Sequence, residues 1–195
     1  MNIERATKNL SEAITYQTIS QVDLKDIDKG AYESFLQFLE ASYPTVHKRL
    51  EKTLINHFSP LYYWKGSDSS RRILFLAHYD VVPASDEGWT YPPFSGRITE
   101  GKIHGRGASD NKNSVIALLE TIESLLEARF TPAVDVYVAL GYDEENHGHK
   151  GAGRISSYLV EKGLSFDLIL DEGGIVTQGS MMGIDEEIAV IGVCE

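Results

Sequence analysis

The stretch Ile73-Leu74-Phe75-Leu76-Ala77-His78-Tyr79-Asp80 decides the fold. Five apolar residues in a row read as a hydrophobic strand, and the run ends abruptly in an imidazole and a carboxylate. The same pattern recurs twice. Val134 to Leu140 runs into Gly141-Tyr142-Asp143-Glu144-Glu145, and Leu168-Ile169-Leu170, read as a short buried strand, runs into Asp171-Glu172-Gly173-Gly174. In open α/β sheets the functional crevice lies at the carboxyl ends of the strands. Parallel neighbours would therefore gather one His and several carboxylates at a single point.

The remaining segments fit a layered α/β chain. Ile3, Ala6, Leu10, Ala13 and Ile14 recur at helical spacing and predict an opening amphipathic helix. A second helix is expected from Lys29 to about Tyr43, with Tyr32, Phe35, Leu36 and Leu39 on its apolar face and Pro44 marking its end. Leu61–Lys65 and Arg72–Ala77 read as strands, with Gly66-Ser67-Asp68-Ser69-Ser70 as the turn between them. A short hairpin around Gly101 spans 96–103, and a helix runs from Asn111 to about Arg129. A helix over 151–162 stops at Gly163, and Ile188–Val193 forms a last strand. Strands alternating with helices give a three-layer α/β/α sandwich with a mainly parallel, mixed sheet.

Composition narrows the function. The 195 residues carry 29 acidic and 18 basic side chains, a net charge of −11. That balance argues against nonspecific nucleic-acid binding and against an anionic membrane surface. It suits a protein that holds divalent cations. The one cysteine, Cys194, cannot make an internal disulfide and is expected to be a buried apolar residue. Residues 1–20 carry charges throughout and lack the apolar core of a signal peptide, and no apolar run is long enough for a membrane span. A cytoplasmic protein is expected.

Crowded carboxylates raise one another's pKa unless a counter-charge sits among them. A divalent cation is that counter-charge, and an imidazole with carboxylates suits zinc, with cobalt or manganese as alternatives. Each piece has a plainer reading by itself: Asp110 or Ser109 as a helix N-cap, Asp171 as a turn residue, Glu144-Glu145 as a solvated pair. The recurrence at three strand ends favours a metal site. His147 and His149 read as loop residues. Gly105-x-Gly107 lacks the third Gly and the leading strand of a dinucleotide loop.

Four words occur in order: His78-Tyr79-Asp80-Val81-Val82-Pro83, Gly105-Arg106-Gly107-Ala108-Ser109-Asp110-Asn111-Lys112, Asp143-Glu144-Glu145 and Asp171-Glu172-Gly173-Gly174. Together with Trp89 and Pro93-Phe94 they resemble the aminoacylase, acetylornithine deacetylase and carboxypeptidase S metallopeptidases. Lys112-Asn113-Ser114 and Gly151-Ala152-Gly153-Arg154-Ile155-Ser156 look like the carboxypeptidase S branch. The resemblance implies a zinc exopeptidase fold, two divalent metal ions and cleavage of an amide next to a free carboxylate. The substrate would be a small peptide or an N-acyl amino acid.

By motif position, the resemblance makes His78 and Asp171 ligands of one ion, Glu145 a ligand of the other and Asp110 the bridge. Glu144 becomes the general base, Asp80 the partner that orients His78, and the Asp110–Asn111 peptide bond cis. Family members are longer, with a lid domain that also supplies dimer contacts and a later His for the second metal. Residues 1–195 would then be the N-terminal part of the catalytic domain, without the lid or the C-terminal catalytic segment and with an incomplete second site. A homodimer fits this reading. A non-catalytic metal-binding remnant or interaction module is the alternative.

Overall fold

The computed structural model describes residues 1–173 and 175–190. Helices α1 (Ile3–Thr15), α2 (Lys29–Ser42) and α3 (Pro44–Arg49) precede strands β1 (Glu51–Ile55), β2 (Ser59–Trp64) and β3 (Asp68–His78). The hairpin β4 (Arg97–Thr99) and β5 (Lys102–His104) leads to α4 (Lys112–Glu127) and β6 (Val134–Gly141). Helix α5 (Ala152–Glu161) follows, then β7 (Leu168–Leu170), β8 (Ile175–Gln178) and β9 (Glu187–Val190). No helix among the described residues is long and apolar enough to cross a membrane.

Five strands form the main sheet in the order β1-β2-β6-β3-β7. β3 pairs in parallel with both β6 and β7, while β2 pairs antiparallel with β1 and with β6. The sheet is therefore mixed, and its parallel half carries the three acidic strand ends. Side chains alternate across β6 as a pleated strand requires. Val136, Val138 and Leu140 join the core beneath α1–α4, whereas Tyr137 and Ala139 pack with Ile155 and Leu159 of α5 on the opposite face. This is the expected helix–sheet–helix layering.

The helices are fixed by polar contacts at their ends. Asn2 and Asp28 cap α1 and α2 by accepting the N–H of Arg5 and Ala31. The free N–H groups at the start of α3 are met from another element: buried Glu123 of α4 accepts from Thr45 (3.0 Å) and Val46 (2.7 Å). Buried Glu120 takes Arg5 Nε at 2.8 Å and so ties α1 to α4.

Four local expectations change. Pro44 begins α3 as well as following α2, because proline is tolerated in a first helical turn. Asp68-Ser69-Ser70 belongs to β3 rather than to a turn; a register shift between Asp68 and Arg72 absorbs the irregularity, and buried Asp135 holds Ser69 Oγ and the Gly66 N–H. β1, polar at three of its five positions and exposed at four, and β8 lacked a sequence signal. β7 is not buried: Leu168, Ile169 and Leu170 are 50%, 54% and 45% exposed, and β7 is the edge of the sheet among the described residues. Cys194 and residues 191–193 of the last expected strand lie outside the described residues.

Candidate metal centre

Strand register sets the site. His78 pairs with Gly141 at the ends of β3 and β6, so Tyr142 to Glu145 leave the sheet beside the imidazole. Leu170 pairs with Phe75, and the next two residues of that chain, Asp171 and Glu172, continue toward His78. Asp110 arrives from the turn before α4. Gly105 and Gly107 shape that turn with positive φ, and the Asp110–Asn111 peptide bond is cis, as the resemblance implies.

His78 is 2% exposed and stands at the centre. Its Nε2 lies 3.0 Å from Asp110 Oδ1, 3.3 Å from Glu172 Oε1 and 3.6 Å from Glu144 Oε2. Its Nδ1 lies 3.1 Å from the Asp80 carbonyl and 3.3 Å from Asp80 Oδ1. A proton on Nδ1 is thus held on the Asp80 side, which leaves Nε2 to face the acidic cluster.

Asp80 does more than orient the ring. Fully buried, it accepts the backbone N–H of Glu144 on Oδ1 and of Glu145 on Oδ2, each at 3.1 Å. One carboxylate therefore fixes both the imidazole and the turn that carries the acidic pair. Asp143 reinforces the same turn. Its carboxylate accepts from the N–H of Lys150 and Gly151 at 2.7 Å, and its carbonyl accepts from Asn146 and Gly148. A Cβ at Gly151 would lie 2.6 Å from Asp143 Oδ1, so the close approach requires glycine there.

The strand end of β7 brings two adjacent carboxylates to the site. Asp171 borders a cavity of about 50 Å³ with His78, Gly141 and Glu144, but its Oδ1 accepts the N–H of Glu172. Glu172 reaches His78 Nε2, and Asn111 Nδ2 donates to its Oε2. One donor atom from each of His78, Asp110 and Glu172 falls within 4.8 Å of the others. Sequence reasoning placed Asp171 among the ligands and passed over Glu172. The signal was available, since both carboxylates follow the strand, but the choice depends on which one the chain turns inward. His147 and His149 are exposed, with ring centroids 6.2 Å apart, and neither belongs to that cluster.

The electrostatics are those of a site built around a cation. Burial lowers the His78 pKa, yet Asp80, Glu172 and Glu144 outweigh it and push the ring up to about 9. Burial raises Glu145 and Glu172, and neighbouring carboxylates, Asp110 and Glu144 among them, raise both further. Burial alone pushes Lys112, next to the turn, down to about 7 against the opposing pull of Asp80. With Nε2 unprotonated, the imidazole nitrogen and the carboxylates around it are all acceptors. A metal ion satisfies such a donor set, and imidazole with carboxylates is zinc-type chemistry.

Comparison with known proteins agrees. The family model described as Peptidase family M20/M25/M40 matches residues 74–191. The "Probable carboxypeptidase S-like 2" of Dictyostelium discoideum is 40% identical over 200 residues, covering 100% of this chain and 38% of its own length. The N-fatty-acyl-amino acid synthase/hydrolase of Mus musculus is 39% identical over 189 residues, covering 95% and 37% respectively. The structure of an M20 family metallo-carboxypeptidase from Sulfolobus solfataricus shares the fold, with TM-score 0.62 and 23% identity over 86% of this chain and 37% of that one. The chain thus spans well under half the length of these relatives.

Proposed function

The chain belongs to that peptidase family, and on this premise we propose that it carries the metal-binding half of a zinc-dependent hydrolase. The bond cleaved is an amide next to a free carboxylate, in a dipeptide or an N-acyl amino acid. The names of the Dictyostelium and mouse relatives support both substrate classes. The observation that carries the reading is the convergence of Asp110, Glu144 and Glu172 on the buried Nε2 of His78.

His78, Asp110 and the β7 carboxylate would hold one divalent ion. Glu172 fits that third place better than Asp171, because its carboxylate faces Nε2. Glu145, with Asp110 as bridge, would serve a second ion whose set here is short of the three protein ligands usual for catalytic zinc. Bound cations supply charge neutralisation and a lowered pKa for the attacking water. Glu144 then takes the water's proton and delivers it to the leaving nitrogen. Asp80 holds the His78 tautomer and the Glu144–Glu145 backbone. The single cysteine suits a reducing, cytoplasmic setting. Residues 1–195 serve as the N-terminal part of the catalytic domain, and a homodimer is compatible with this role.

Glu144→Gln tests the assignment in a protein that contains this segment together with the length its relatives have. Turnover of dipeptides and N-acyl amino acids should fall about 100- to 10,000-fold with metal content unchanged. Near-normal turnover with full metal would remove Glu144 from the role. The 195-residue chain by itself should hold about one tight ion and hydrolyse close to background.

A further inference from the structure

Lys112 is buried with no exposed surface, and its ammonium lies 5.1 Å from the centre of the Phe35 ring. It donates to main-chain oxygens rather than to a carboxylate: Ala13 O at 2.9 Å and Tyr16 O at 2.5 Å. Those carbonyls belong to the C-terminal end of α1, which has no basic residue in its own last turn. Ala13 O already accepts from Tyr16 N and Tyr16 O from Thr18 N, so the ammonium is a second donor to each, and it meets the negative end of the helix dipole. The group that supplies it stands two residues after Asp110.

The chain that leaves this anchor runs straight to the site. Thr18 Oγ1 donates to Tyr79 O at 2.6 Å, Val81 N donates to Thr18 O at 3.0 Å, and Ser20 N donates to Val81 O at 2.9 Å. Ile19 and Val81 form a parallel bridge. These bonds bracket Asp80 on both sides. Ser20 Oγ then accepts from Asn146 Nδ2 at 2.8 Å, one residue beyond Glu145. Thr18 and Ser20 are themselves buried.

We propose that residues 16–20, anchored by Lys112, form a positioning strap that sets the spacing of the Asp110, His78–Asp80 and Glu144–Glu145 loops. The strap touches no ligand atom. It acts by holding three loops, contributed by β3, β6 and the turn before α4, in one register. Without it Asp80 loses the backbone support on either side, and with that its grip on the Glu144 and Glu145 amides. The consequence for metal binding rests on the function proposed above; the geometric claim does not.

The test uses the 195-residue chain and three variants: Thr18→Val, Ser20→Ala and Lys112→Met. Hydrogen exchange of the Glu144 and Glu145 amides is compared with that of the β6 amides, and zinc affinity is measured by titration. Each variant should speed the Glu144 and Glu145 amides about 10-fold relative to β6 and weaken zinc about 10-fold, the cost typical of losing an outer-shell support. Arg5→Met, which loosens the far end of α1, should leave that ratio unchanged. Should Lys112→Met fail to fold, Thr18→Val and Ser20→Ala carry the test. Amides of Glu144 and Glu145 that exchange only in step with β6 would overturn the strap. A wild-type chain that binds no zinc would overturn the proposed function, and the exchange ratio would still decide the strap.

Discussion

β6 and β7 flank β3 on opposite sides, both run parallel to it, and both end in adjacent carboxylates, yet they are held in different ways. β6 is buried along almost its whole length, and its acidic turn is fastened by Asp80 and Asp143. β7 has three residues, all exposed, and Asp171 beyond it makes one local hydrogen bond. The site thus has a half that is organised by the fold around it and a half that stands, among the described residues, at the edge of the sheet. Edge strands are usually blunted by charge. The other edge of this sheet, β1, carries Glu51 and Lys52, and Lys52 pairs with Glu40. β7 carries only Leu-Ile-Leu beside an apolar groove of about 620 Å³ lined by Phe75, Leu118 and Leu125. Its composition is that of an interior strand.

Core truncations should divide the two strands most sharply. Leu140→Ala on β6 removes a fully buried side chain and should cost about 3 kcal/mol in urea unfolding, whereas Leu168→Ala on β7 should cost under about 1 kcal/mol. Equal costs would erase the distinction. The carboxylates come next. Asp143→Asn disturbs buried acceptor sites for two N–H groups and should cost about 1–2 kcal/mol, against about 0.5 kcal/mol or less for Asp171→Asn.

Ile169→Lys probes the edge itself. A charge in mid-strand should suppress concentration-dependent self-association in sedimentation velocity, with stability changed by no more than about 0.5 kcal/mol. Association that persists unchanged would mean that β7 is not the sticky surface.

The smallest effect lies behind β6. His47 Nε2 is 3.0 Å from Tyr62 Oη on β2, whose partner in the ladder is Val138. Burial holds the His47 pKa below its usual value of about 6.5. The unfolded chain therefore takes up a proton near pH 6.5 that the folded chain refuses. Stability from this group is present above that pH and is lost as pH falls through the lowered folded value. His47→Gln should flatten part of the stability decline between pH 8 and pH 5, and an unaltered slope would show that the ring takes up its proton equally in the folded and unfolded chain.

These contrasts also explain what the sequence made legible. Long periodic segments such as Val115 to Leu126, and the strands Ile73–Ala77 and Val134–Leu140, declared themselves because one physical cause, burial, set their apolar positions. β7 was read as a strand from the same apolar signal but wrongly as buried, since burial depends on a neighbour and not on the strand's own residues. β1 was missed because an edge strand needs no apolar pattern. At the site, His78, Asp80, Asp110, Glu144 and Glu145 stand in the words that carry the family resemblance, and it was the resemblance that named them. Glu172 could not be separated from Asp171, because two adjacent carboxylates leaving a strand differ only in which way the backbone turns them. Lys112 was legible as a motif residue, but its hold on Ala13 and Tyr16 depends on tertiary contact across the chain.

The most direct test is a zinc titration of the purified 195-residue chain, wild type beside His78→Ala, Glu172→Gln and Asp171→Asn, with thermal unfolding followed to confirm that each variant folds. The wild type should bind about one ion tightly, His78→Ala should lose it, Glu172→Gln should weaken it at least 10-fold, and Asp171→Asn should change it only a few-fold. Tight binding that survives His78→Ala would contradict a metal centre built on this imidazole, and loss in Asp171→Asn with retention in Glu172→Gln would return the ligand role to Asp171.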